Sequence, residues 1–161
     1  INKHWKIKTI PGFEITHTPV EIIGDLAKEG RALGAKIVLL HGETVVEPVK
    51  KGTNYAGVIA DIDILAHPGV IDEEDAIIAA EKNIYIEISG RKGHSFTNGH
   101  VVKMSQKTGA PLIFNTDTHA PGDLICKEMA ALLMTGSGLS NREIENAFRN
   151  AQKLVEKAVG C

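Results

Sequence analysis

The 161-residue chain is 43% hydrophobic, enough apolar content for one globular core, and carries a net charge of -2 with a pI near 6.4. That balance gives no basic footprint for nucleic acid and no attraction to an anionic membrane surface. Its longest apolar runs, KIVLL and MAALLM, fall far short of the ~20 residues that cross a bilayer, and its cysteines, Cys126 and Cys161, make neither a disulfide framework nor a thiolate metal cluster.

The opening INKHWKIKTIPGF lacks an initiator Met and turns strand-like at once, with IKTIPGFEI as the first predicted strand. VEIIGDLAKEGRALG follows with helical periodicity and stops at Gly34, a residue suited to a helix C-terminus. KIVLL and DIDILA are the next strands. EEDAIIAAEKN is helical up to Asn83, IYIEIS is a strand, GHVVKMSQKTG is helical up to Gly109, PLIFN is a strand and DLICKEMAALLM is helical. In the tail GLSNREIENAFRNAQKLVEKAV, Ser140 and Glu143 form an S-x-x-E capping box ahead of an amphipathic run. No strand follows it, so a terminal helix packing across the sheet is expected. Continuous apolar strands joined by helices predict βαβ units and a parallel α/β sheet. With no repeat, linker or low-complexity stretch, residues 1–161 read as a single domain, in a cytoplasmic protein.

The ionisable residues fall on this framework in one place. Glu14 follows PGF, His41 follows KIVLL, His67 follows DIDILA, and Asp117 and His119 follow PLIFN. Each is at the carboxyl end of its strand, and in a parallel sheet those ends share one face. Taken singly, each histidine is an ordinary hydrogen-bonded residue and Asp117 an ordinary turn former. Their shared position on four strands points to a divalent-metal site, with Zn, Mn or Fe suited to imidazole and carboxylate donors. Arg91 and His94, in GRKGHSFTNGH, offer a fixed and a titratable positive group for an anionic phosphate. Glu43 and Glu47 read as loop residues and His100 as structural, while Ser95, Thr97 and Cys126 lack the company a side-chain nucleophile needs.

IPGFEITH, VLLHGET, DILAHPG and FNTDTHAPGD, occurring in that order, resemble motifs of the polymerase and histidinol phosphatase (PHP) family of metal-dependent phosphoesterases, and SGRKGHSFTNGH resembles a subset of small stand-alone members. The resemblance implies a distorted (β/α)7 PHP-type barrel, TIM-barrel-like, with up to three metal ions at its carboxyl-end rim. It implies Glu14 as bridging carboxylate, His41 and His67 completing one metal site with it, Asp117 serving a second and His119 a third. Asp117 and His119 would be catalytic, Arg91 and His94 would hold the substrate phosphate, and the activity would be hydrolysis of a small phosphomonoester by metal-activated water. Family members open with an H-x-H motif, which this sequence lacks. The expectation is therefore a partial barrel, the C-terminal two-thirds of a longer one, with fewer ions, impaired activity and bare edges that invite a homo-oligomer. Two alternatives stay open: a non-catalytic metal-binding or assembly module, and a nuclease acting on nucleic-acid ends, which the acidic balance makes the weaker.

Overall fold

The computed structural model describes residues 2–4 and 6–160. Cys161, and Trp5 of the strand-like opening, lie outside the described residues. Five strands, β1 (Gly12–Ile15), β2 (Ile37–His41), β3 (Ile64–Ala66), β4 (Tyr85–Ser89) and β5 (Leu112–Asn115), form one sheet in consecutive order, and every neighbouring pair is parallel. The helices between them are α1 (Ile23–Ala32), α2 (Thr53–Ile59), α3 (Glu73–Lys82) and α4 (Asn98–Thr108), followed by α5 (Lys127–Gly136) and α6 (Asn141–Val159).

Alternation along each strand sends side chains to two different cores. Val38, Leu40, Leu65, Ile86 and Ile88 pack with Ile23, Ala27, Val58, Ala76 and Val101 of α1 to α4. Ile37, Leu39, Ile64, Tyr85 and Ile113 point to the opposite face, where Leu154 and Ala151 of α6 cover them. The terminal helix thus packs across the sheet as its sequence pattern indicates, and burying a residue such as Leu154 contributes about 1.5–3 kcal/mol. Two polar contacts fix α6 in place: Asn150 Nδ2 donates to Leu112 O at 2.8 Å and Lys157 Nζ to Asp63 Oδ1 at 3.0 Å. Asp63 also accepts from Arg31 of α1 at 2.7 Å, so one buried carboxylate ties the helices on both faces to the sheet.

The expected α/β alternation of parallel strands and helices is present, as a five-stranded sheet. β1 and β5 are its edges and are not paired with each other among the described residues. The sequence also predicts a longer first strand, but the backbone becomes extended and paired only at Gly12. Helix α2 falls in a stretch to which the sequence pattern assigns no element. It begins after Gly52 at φ 95°, where Glu43 Oε1 accepts from the backbone N–H groups of Gly52 at 2.9 Å and Asn54 at 3.0 Å. The helix expected from DLICKEMAALLM starts only at Lys127, because Asp123 Oδ2 holds the N–H groups of His119 and Ala120 in a separate turn. At Asn83 and Gly109 the chain leaves its helices with positive φ, as their sequence signals indicate.

Candidate metal centre at the strand ends

The carboxyl ends of the strands form the rim that the residue pattern predicts. The loops after β2 and β3 approach closely there: a Cβ on Gly42 would lie 2.6 Å from Pro68 Cα and 2.7 Å from Ala66 O, so only glycine lets the turn after His41 lie against the turn after His67. Positive φ angles at His17 (50°), His67 (32°) and Asp117 (45°) cluster at this rim, a local cost that the surrounding packing sustains.

Three histidines are buried together. The rings of His41 and His67 meet edge to face with centroids 4.5 Å apart, while His67 and His94 stack at 4.2 Å with 17° between their planes. Glu14 Oε1 lies 3.9 Å from both His41 Nδ1 and His67 Nε2. Glu14, His41 and His67 thus form one group able to hold a metal ion, and His67, His94 and Asp117 form a second.

Hydrogen bonds set which ring nitrogens are free. His41 Nε2 is 3.1 Å from the carbonyl oxygen of Glu47, which can only accept, so Nε2 carries the hydrogen and Nδ1 is the lone pair. His67 Nδ1 is 3.4 Å from Glu87 Oε1, a buried carboxylate, so its hydrogen points there and Nε2 is free. The two free nitrogens face one another at 2.8 Å. Two lone pairs at that distance repel unless a cation lies between or beside them, either a proton on one ring or a metal ion. Donation of the outer N–H to a carbonyl or carboxylate is also the usual arrangement around a metal-bound histidine. Donors bound to one tetrahedral ion at ~2.1 Å are roughly 3.4 Å apart, so spacings of 2.8 and 3.9 Å need only small adjustment. The donor set fits a borderline metal ion.

Charges at the site respond accordingly. Burial opposes ionisation of Glu14 and pushes its carboxyl up, with His67 pulling the other way. Burial also disfavours the charged ring at His67, but the hydrogen bond and charge of Glu87, with Glu14 and Asp117, outweigh it and hold the imidazolium above its ordinary range. Burial pushes His41 and His94 down, toward the neutral ligand form.

Arg91 and His119 meet a different part of the rim. Arg91 Nη1 donates to Asp117 Oδ2 at 2.5 Å and lies 2.8 Å from His119 Nδ1, and its partner Asp117 raises the guanidinium pKa further. His119 has a side chain 64% exposed and belongs to neither ligand-capable group. His94 is buried, and its Nδ1 contacts Thr44 Oγ1 at 2.8 Å. His100 is structural as expected, bonding Ile71 O at 2.8 Å. Sequence reasoning missed Glu87, Glu47 and Thr44. The signal for Glu87 was a lone carboxylate at an inward position of the apolar strand IYIEIS, and for Glu47 its placement six residues after His41. Beside the centre, between the rim and α5 and α6, lies a cavity of about 490 Å³ lined by Glu14, Glu87, Asn115, Asp117, Lys127 and Phe148.

No protein-family model matches the chain. The chain is 47% identical over 161 residues to the uncharacterized protein MJ1295 of Methanocaldococcus jannaschii, covering 99% of this chain and 74% of that protein. Its fold is similar to a chain in the cryo-EM structure of archaeal ribonuclease P with mature tRNA, with a TM-score of 0.76, 18% identity, and coverage of 97% of this chain and 71% of that one. These findings correct the family expected from the motifs. No PHP model is among the matches, the relative close in sequence is uncharacterized, and the solved fold belongs to an RNA–protein assembly. With the family fall the hydrolase class, the phosphatase activity, the small phosphomonoester as substrate and the exclusion of nucleic acid as partner.

Proposed function

From the premise that the chain belongs to the same family as the uncharacterized protein MJ1295 of Methanocaldococcus jannaschii, we propose that it is a metal-holding protein component of an RNA-processing assembly, working in the cytoplasm. The likeness of nearly the whole chain to a ribonuclease P chain supports the assembly. The observation that carries the metal is the pair of free nitrogens on His41 and His67, 2.8 Å apart with Glu14 beside them. One ion of Zn, Mn or Fe bound by Glu14, His41 and His67 would neutralise Glu14 and lock the loops after β1, β2 and β3 to one another, keeping the rim rigid for its partners. It would also be a Lewis acid there. The consecutive order of parallel strands further supports reading the sheet as an arc of a barrel in a single domain, with α6 in the place of the interior.

Metal content by inductively coupled plasma mass spectrometry, after loading with Zn or Mn and removing excess, tests the centre. One ion per chain is expected, lost in Glu14→Ala and held about tenfold to a hundredfold more weakly in Glu87→Gln, which breaks the outer hydrogen bond of His67. Wild-type protein without metal would remove the reading. The assembly part is tested by titration with labelled mature tRNA.

A further inference from the structure

Among the described residues, Arg91 is the cation whose contacts gather the unused half of the rim. Its Nη1 bonds Asp117 Oδ2 and contacts His119 Nδ1, and its Nη2 lies 3.7 Å from Glu47 Oε1. His94 Nε2 faces the same two carboxylates, at 3.5 Å from Asp117 Oδ2 and 3.9 Å from Glu47 Oε1. Two carboxylates and the His119 imidazole thus surround the guanidinium, and one of these carboxylates, Asp117, belongs with His94 to the second group able to hold an ion. His67, which the second ligand-capable group shares with the first, has both nitrogens committed: Nε2 faces His41 and Nδ1 faces Glu87. An ion added beside Asp117 would therefore depend on the groups that Arg91 now holds.

We propose that Arg91 is an internal counter-ion that stands in place of a second metal ion, so that the rim holds one ion at Glu14, His41 and His67 and excludes another while Arg91 is paired with Asp117. This rests on the metal reading above. The pair is strong in the way that excludes a competitor: Asp117 is only 15% exposed, the contact is charge-assisted, and an arriving dication would have to displace a guanidinium that cannot be neutralised. Removing the guanidinium leaves Asp117 partly buried with no permanent cation, and a dication held by Asp117 and His94, two residues of the second group able to hold an ion, restores the balance.

The test is titration of the metal-free protein with Co(II), following the ligand-field absorption that reports coordination, with ion stoichiometry measured in parallel. Wild type is expected to bind one ion. Arg91→Met is expected to bind two, the second at least about tenfold more tightly than any second ion in wild type, and the double variant Arg91→Met with Asp117→Asn is expected to return to one. Arg91→Lys, which keeps the charge without the planar fork, is expected to fall between, and carries the comparison if the neutral variant does not fold. A second ion bound equally well by wild type and the Arg91 variants would overturn the proposal, as would one ion in all of them. No ion in any of them would instead overturn the metal reading itself.

Discussion

Asp75 sits in the first turn of α3, buried, and none of the ion pairs among the described residues includes it. Burial, and then the charges of Asp72, Glu43 and Glu74, push its carboxyl from an ordinary 3.8 up to about 6. Because the folded value is raised, the protonated acid is the form folding favours. The contribution is fully present below the unfolded value near 3.8 and is lost as pH rises through about 6. At pH 7 a charged Asp75 therefore costs stability, and Asp75→Asn, which keeps the shape of the neutral acid, should stabilise the protein by about 1 kcal/mol there. Thermal unfolding of both proteins should show a higher Tm for the variant at pH 7 and no gain at pH 4. A gain that persists at pH 4 would mean that charge is not the cause. The same contrast decides what was legible in the rim. Glu14, His41 and His67 could be placed because a residue at a strand end needs only the strand to be found, and the apolar runs locate the strands. Glu87 lies in mid-strand, and its meaning depends on a ring two strands' length of sequence away, 3.4 Å off in space. Arg91 could be placed near the rim, but its engagement with Asp117 instead of a free anion is a matter of loop geometry that residue spacing does not encode.

Helix α6 is the element whose sequence signal and structural role coincide. Ser140 Oγ accepts from the N–H of Glu143 at 3.4 Å and Glu143 Oε2 accepts from the N–H of Ser140 at 2.7 Å, the reciprocal box read from S-x-x-E. Ser140→Ala removes the hydroxyl half and should cost about 1 kcal/mol, measured by urea denaturation as a lower midpoint at an unchanged slope. Because α6 alone covers the second face of the sheet among the described residues, a fall in the slope as well would show that its loss loosens that face. Helix α2 was invisible for the opposite reason. TNYAGVI is short, holds a glycine and three β-branched residues, and has weak intrinsic propensity. Gly57 is there because α2 lies so close to β2 that a larger side chain would strike Leu40. Packing selects that helix, so a reading by propensity passes over it. Strands β2 to β5 were recovered because each is a buried apolar run. Unpaired first and last strands were expected from the absent H-x-H motif, whereas no local pattern states how far the sheet curves toward a barrel.

At the scale of the whole molecule, the proposed role in RNA processing has to be compatible with a net charge of -2. Affinity for RNA depends on local clusters more than on the total, because each phosphate contact releases counterions locally. One such cluster is present. Asn2 clasps Thr9, its Nδ2 donating to the Thr9 carbonyl at 3.0 Å and its Oδ1 accepting from the Thr9 N–H at 2.7 Å. The segment closed by these bonds carries Lys3, Lys6 and Lys8, all exposed, and no acidic residue. Holding both ends of the segment lowers the entropy that three separate lysines would lose on meeting a phosphate backbone. Residues 88–116 also carry Arg91, Lys92, Lys103 and Lys107 without an acidic residue, but Arg91 is paired with Asp117 and Lys107 with Glu73, so binding by the isolated chain should be weak and steeply salt-dependent, with partner proteins supplying the rest of the affinity. Labelled mature tRNA titrated by fluorescence anisotropy between 50 and 200 mM salt, settings chosen to span the steep part of the counterion effect, should give roughly micromolar binding at the low end. Changing Lys3, Lys6 and Lys8 together to Ala should weaken it and reduce the log–log salt slope by about 2 to 3, near one unit for each lost phosphate contact. The substituted segment touches neither ion site, so metal content should stay at the wild-type value and exclude general misfolding as the cause. An unchanged slope would move the RNA contact away from this segment, and no binding of tRNA at the lowest salt would leave protein partners as the chain's only route into such an assembly.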